Sequence, residues 1–215
     1  MDITRSTDND PRSMAPTNTD SDDLTALLGS RICHDLISPL GAISNGVELL
    51  MMSGSTTGPE MALISQSIAS ANARIRFFRV AFGAQASGQQ IGRAEVLSIL
   101  DDMTRGGRLT VAWQSPPEAA RGAVKIAFLA LLCLETAMPY GGRIQISANG
   151  DAWGLQAEAD RLKLDQTLWD RLSVRSGVGP LAAAHLQFAL LPDEARRQGR
   201  MLNLTLAATR VTLTF

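Results

Sequence analysis

Two histidines occur in the 215 residues of this chain. One of them, His34, is followed directly by Asp35, in the run Arg31-Ile32-Cys33-His34-Asp35-Leu36-Ile37-Ser38-Pro39-Leu40. A neutral imidazole keeps one ring nitrogen free to attack an electrophile while the other is held by a hydrogen bond. The neighbouring carboxylate is the natural group to hold it, so Asp35 is expected to orient or activate the ring, with Nδ1 restrained and Nε2 free. His185 has no acid beside it and is expected to be a packing or surface residue. Cys33 and Cys133 lie far apart and outside any metal-ligand spacing, so both thiols are expected to be packing residues in a reducing compartment.

What must position His34 is a helix. Leu28, Ile32, Leu36, Leu40, Ile43, Val47 and Leu50 recur at spacings of four and three, one buried stripe of a 3.6-residue period. His34 falls on the side opposite that stripe, exposed to a macromolecular partner. Leu27, Arg31, Ser38, Gly41 and Asn45 share its side and form the expected docking face, where small residues would let a partner helix approach closely. Pro39 lies inside the helix, either as a tolerated kink or as a device that shapes the backbone beside the docking site.

After a Gly/Ser/Thr loop, Pro59 suits the first turn of a second helix. Met61, Ile64, Ile68, Ala71, Ile75, Phe78 and Phe82 then alternate in steps of three and four, a heptad seam. Two such helices make an antiparallel hairpin, and two copies of it pairing into a four-helix bundle would cover both seams, which predicts a homodimer. Arg74, Arg76 and Arg79 lie off the seam and are expected to be solvated, or else to meet acidic groups of a partner.

Residues 1–22 are polar and interrupted by Pro11 and Pro16, the composition of a disordered tail. Ser21, Asp22 or Asp23 would cap the first helix. The hairpin is expected over 23–88, with a linker from Gly83 to Gly92. The remainder, 89–215, mixes helices with strands: helix 94–103, strand 108–113, an apolar helix 121–138, strands 143–148, 153–159 and 162–164, a short helix capped by Asp165, a helix 180–198 and two closing strands. That order predicts an α+β chain whose second unit is an α/β sandwich, one sheet with helices on one face. Trp113, Trp153 and Trp169 are expected in its core.

Composition excludes several classes. A net charge of −1 offers no electrostatic footprint for nucleic acid. No apolar run is long enough to cross a membrane, and the N-terminus shows no basic, apolar leader, so a cytoplasmic location is expected.

The motif His34-Asp35-x-x-Ser38-Pro39-Leu40 resembles the H-box of two-component signalling proteins. Together with Phe77-Phe78-Arg79-Val80-Ala81-Phe82-Gly83-Ala84 at the end of the second helix, and with a worn histidine-kinase-ATPase-like region after Gly92, it is similar to the ChpT-type histidine phosphotransferases of alphaproteobacteria. The resemblance covers residues 24–215. It implies a dimerisation and histidine-phosphotransfer hairpin, with His34 accepting a phosphoryl group from a receiver domain of a hybrid histidine kinase. Transfer onward to response regulators, CtrA-like ones among them, is implied as well.

The departures from a kinase matter as much. Leu131-Leu132-Cys133-Leu134-Glu135-Thr136-Ala137 stands where a kinase places magnesium-binding asparagines. Asp160-Arg161-Leu162-Lys163-Leu164 has leucines where the first nucleotide turn has glycines, and Gly177-Val178-Gly179-Pro180 is a bare remnant of the second. No cofactor is therefore expected on this chain, and the Mg²⁺ for transfer would come from the receiver. A histidine kinase with divergent nucleotide boxes and a non-catalytic dimeric adaptor are the competing readings.

Overall fold

The computed structural model describes residues 18–53, 58–173 and 180–215. The N-terminal tail up to residue 17, most of the hairpin loop and the remnant glycine turn 177–179 lie outside the described residues.

Two helices open the fold, α1 (Asn18–Ser53) and α2 (Pro59–Ala81). The first begins ahead of the expected cap at residues 21–23, which are already helical. Pro39 is accommodated inside α1 and is buried. Asp35 meets Arg74, whereas Gly46 meets Ile64, so the helices run antiparallel. A Cβ at Gly46 would stand 2.5 Å from Ile64 Cγ1, so only glycine lets the helices approach this closely. Along the seam, Ile64, Ala71 and Phe78 are buried within the chain. Ile68 and Ile75, at alternate seam positions, remain 45% and 44% exposed.

The rest comprises β1 (Gln90–Gly92), α3 (Arg93–Thr104), β2 (Leu109–Gln114), β3 (Glu118–Ala120), α4 (Arg121–Ala137), β4 (Gly142–Asn149), β5 (Ala152–Glu158), α5 (Gln166–Ser173), a 3-10 turn (Ala183–His185), α6 (Gln187–Arg197), β6 (Asn203–Leu206) and β7 (Arg210–Thr214). Five strands form one sheet in the order β2-β4-β5-β7-β6, parallel only between β2 and β4. Period-two alternation puts Ile144, Ile146, Leu155, Ala157, Val211 and Leu213 on one buried face, and the register sets Ile146 beside Leu155 and Leu155 beside Leu213. Helix α4 packs against that face. Every residue from Ala123 to Leu134 is buried, as expected of a helix that is apolar nearly all round, with Lys125 the one charged residue in the stretch.

The helix-and-sheet sandwich expected after the hairpin is present, with local differences. Residues 162–164 form no strand, because both edges of β5 are already taken by β4 and β7 and the Lys163 N–H bonds instead to the Ala137 carbonyl at 2.9 Å. The single helix expected over 180–198 is a 3-10 turn followed by α6. Part of the expected linker, residues 90–92, pairs antiparallel with β3, since three-residue strands are too short to show alternation. Asp165 caps α5 as expected, its Oδ1 accepting from the Thr167 N–H at 3.0 Å.

The hairpin does not end at a linker in any packing sense. Phe77, Phe78, Val80 and Ala81 of α2 belong to the same core as α4 and the sheet. Phe77 stacks on Phe128 with 4.6 Å between ring centroids. Arg121 donates to the Arg79 carbonyl at 2.8 Å and Lys125 to the Gly83 carbonyl at 3.0 Å, so α4 supplies donors to the open carbonyls at the end of α2.

Candidate functional site

His34 projects from α1 with its side chain 82% exposed, while the adjacent Asp35 is only 10% exposed. The ring Nδ1 lies 3.1 Å from Asp35 Oδ1. A carboxylate only accepts, so this pair assigns the hydrogen to Nδ1 and leaves the Nε2 lone pair free. The other carboxylate oxygen, Oδ2, accepts from Arg31 Nε at 2.7 Å and has Arg74 Nη1 at 3.9 Å. A carboxylate so little exposed requires such partners, because desolvating it unpaired would be prohibitive. Arg31 and Asp35 are one helical turn apart, so the first contact is local; Arg74 comes from the facing helix.

The residues expected on the docking face divide. Ser38, Gly41 and Asn45 are exposed alongside His34, and Leu27 is half-buried. Arg31 turns inward: besides Asp35, its Nη1 donates to the main-chain carbonyl of Ala184, in the 3-10 turn of the C-terminal unit. Cys33 is exposed beside His34, whereas Cys133 is buried and burial pushes its thiol well up.

Two of the three arginines expected to be solvated are committed within the chain. Arg74 faces Asp35, and Arg76 donates to Asp102 at 2.9 Å and to Ser98 at 3.1 Å, fastening α2 to α3. Arg79 is exposed. Sequence spacing puts Arg74 off the seam but offers no signal for the acid it meets, since that acid lies on another helix. Arg74 also lines a pocket of about 220 Å³ with Phe77, Arg108, Leu131 and Glu135. Glu135 sits at the rim. Desolvation by the pocket walls, reinforced by Asp35, raises its carboxyl above the ordinary value against the pull of Arg74 and Arg31.

His185 is half-buried, edge-on to Phe188 at 6.3 Å between centroids. Burial and then the Arg31 charge lower its pKa, against the pull of Asp165. It is a packing histidine. Trp113 and Trp153 are buried against each other, and Trp169 is buried against Phe188.

The described residues of the stretches set against kinase nucleotide boxes are engaged within the chain. Leu131, Leu132 and Leu134 on α4 are buried apolar residues, and the 160–164 segment lays Arg161 over the Tyr140 ring at 5.6 Å. Leu162 and Leu164 pack against the core. Among the described residues, no group of three or more His, Cys, Asp or Glu side chains is gathered to hold a metal ion. Nor is any described helix long and apolar enough to cross a membrane.

Residues 93–210 match the family model of the histidine phosphotransferase C-terminal domain. The chain is 40% identical over 130 residues to the protein phosphotransferase ChpT of Brucella abortus (strain 2308), an alignment that takes in 60% of this chain. It spans only 62% of the length of that relative. A solved structure of a bacterial phosphotransferase superposes on 95% of this chain and 98% of its own, with a TM-score of 0.75 and 28% identity.

Proposed function

This chain belongs to the histidine phosphotransferase family, and from that premise we propose that it carries phosphoryl groups between proteins of a bacterial phosphorelay. His34 accepts the group from the aspartate of a receiver domain and passes it to aspartates of response regulators, without ATP. The observation that carries this reading is the His34 side chain, 82% exposed, with Nδ1 held at Asp35 Oδ1, which leaves Nε2 as the nitrogen that Asp35 does not engage.

In the transfer, the Nε2 lone pair attacks phosphorus in line with the acyl-phosphate bond of the receiver. The P–O bond breaks and its electrons leave on the receiver's carboxylate. The proton on Nδ1 stays where it is, so the ring becomes a phosphorylated imidazolium, and Asp35 stabilises that developing charge without taking the proton. Phosphoryl transfer needs mainly alignment and neutralisation of the equatorial oxygens. Alignment comes from α1. The Mg²⁺ that neutralises charge is supplied by the acidic pocket of the receiver. Because the imidazole is also a good leaving group, the same geometry serves the onward step.

The half-exposed Ile68 and Ile75 on the seam support a homodimer through a four-helix bundle, in which each protomer presents its own His34. Apolar side chains at the counterpart of the nucleotide site support transfer without ATP. So does the core that α2 shares with α4: a kinase must bring its nucleotide to the histidine, and here the units are packed together. Acting among such relay proteins, the chain works in the cytoplasm.

The test mixes the protein with a receiver domain phosphorylated on its aspartate. Label moves to wild type and not to His34→Ala; absence of label on wild type with every receiver tried sinks the reading. Incubation with labelled Mg-ATP leaves the protein unlabelled, whereas autophosphorylation on His34 would identify a kinase.

A further inference from the structure

Arg31 lies on the same side of α1 as His34, where a docking residue would be expected, yet its guanidinium is turned into the molecule and is only 15% exposed. Its two ends do different things. Nε donates to Asp35 Oδ2, and Nη1 donates to the carbonyl of Ala184, a residue 153 positions further along the chain. Asp35 in turn accepts the His34 Nδ1–H on Oδ1. A continuous chain of hydrogen bonds thus runs from the backbone of the C-terminal unit, through Arg31 and Asp35, to the ring.

We propose that Arg31 is a positioning residue for phosphoryl transfer, which fixes the His34 ring through Asp35 and is itself fixed by the Ala184 carbonyl. The proposal rests on the phosphotransfer reading of His34. An aspartate side chain next to an exposed histidine has its own rotamer freedom, and nothing in α1 alone stops Oδ1 from leaving the ring. Engaging Oδ2 removes that freedom, because the two oxygens are rigidly linked. The planar guanidinium fork suits such a double attachment, since one edge holds the carboxylate while another nitrogen reaches the Ala184 carbonyl. Arg74 adds charge on the same oxygen from α2 at a looser 3.9 Å. The ring is then presented in one tautomer and one orientation, and the C-terminal unit, worn as a nucleotide site, contributes by anchoring the arginine.

A docking role and a positioning role make opposite predictions. Full-length Arg31→Gln, which keeps much of the stem but not the fork, is compared with wild type by ¹⁵N NMR of the His34 ring, by affinity for an unphosphorylated receiver domain, and by single-turnover transfer at saturating phosphorylated receiver. In wild type the ring spectrum shows Nδ1 protonated and Nε2 free. In the variant the two tautomers mix, the saturated rate falls by about tenfold to a hundredfold, and receiver affinity stays unchanged. Arg31→Lys keeps the charge but cannot span both acceptors; it is expected between the two, and serves as the second variant should Arg31→Gln fold poorly. An unaltered tautomer with an unaltered rate overturns the proposal. So does weakened receiver binding with a normal saturated rate, which would return Arg31 to the docking face. If wild type accepts no phosphoryl group at all, the phosphotransfer reading fails, while the ring spectra still decide whether Arg31 fixes the tautomer.

Discussion

Phe77 on the second hairpin helix stacks on Phe128 of α4 with only 17° between the ring planes, inside a core that runs without interruption from the hairpin into the sheet-bearing unit. The helix pair that presents His34 is therefore continuous with the platform behind it. Arg121 and Lys125 close the same junction from α4, each donating to a carbonyl at the end of α2. A histidine on such a support is preorganised relative to any second surface the platform offers a partner, which lowers the entropy cost of docking.

Asp35→Asn preserves size and removes the charge. An amide at this position can donate to the ring and hold it in the wrong tautomer, and it no longer stabilises the imidazolium. Single-turnover transfer from a phosphorylated receiver should slow by about 10²- to 10⁴-fold, with receiver affinity little changed. A rate within a factor of two of wild type would remove Asp35 from the mechanism.

Ile68→Asp places a charge on a seam position that is already half-exposed in the single chain. The hairpin should stay helical by circular dichroism while sedimentation shows a monomer. Ile75→Asp should behave alike. A folded variant that still sediments as a dimer would place the interface elsewhere.

The buried ion pair Lys125–Glu194, 3.2 Å apart, holds α4 to α6 beneath the hairpin junction. Lys125→Met leaves Glu194 buried with Arg197, Gln198 and Gln85 as its remaining partners. Urea unfolding should show a loss of about 2–3 kcal/mol, less than the 3–5 kcal/mol of a buried charge left alone. Adding Glu194→Leu should recover at least half of it. If the single variant is as stable as wild type, the pair contributes nothing to the junction.

Glu194 also sets a pH dependence. Burial alone would push its carboxyl up, but the Gln198 hydrogen bond, Lys125 and Arg197 together outweigh burial and hold it below the ordinary value. The folded protein then binds this proton less readily than the unfolded chain. Its contribution is fully present above the unfolded carboxylate value, around pH 4.5, and is lost as the pH falls through the lower, folded value. Wild type should exceed Glu194→Gln in stability at neutral pH, and the two unfolding curves should converge in acid. A difference independent of pH would contradict the assignment.

Periodicity and local chemistry were legible from the order of residues alone. The helical period of α1, the seam of α2, the Asp165 cap and the alternation of β4, β5 and β7 depend on neighbours a few positions away, and the same applies to the exposed His34 beside its acid. Leu40 and Val47 of the α1 stripe expected to be buried are, however, exposed in the single chain. Short strands and the break ahead of α6 were not legible, because three residues carry too little pattern to distinguish a strand from a loop. Which way Arg31 turns, what Arg74 faces and where Phe77 packs were decided only by the tertiary structure. Those contacts join residues tens to more than a hundred positions apart, and an amphipathic pattern specifies that a side chain lies on a given face without specifying what the fold brings to meet it.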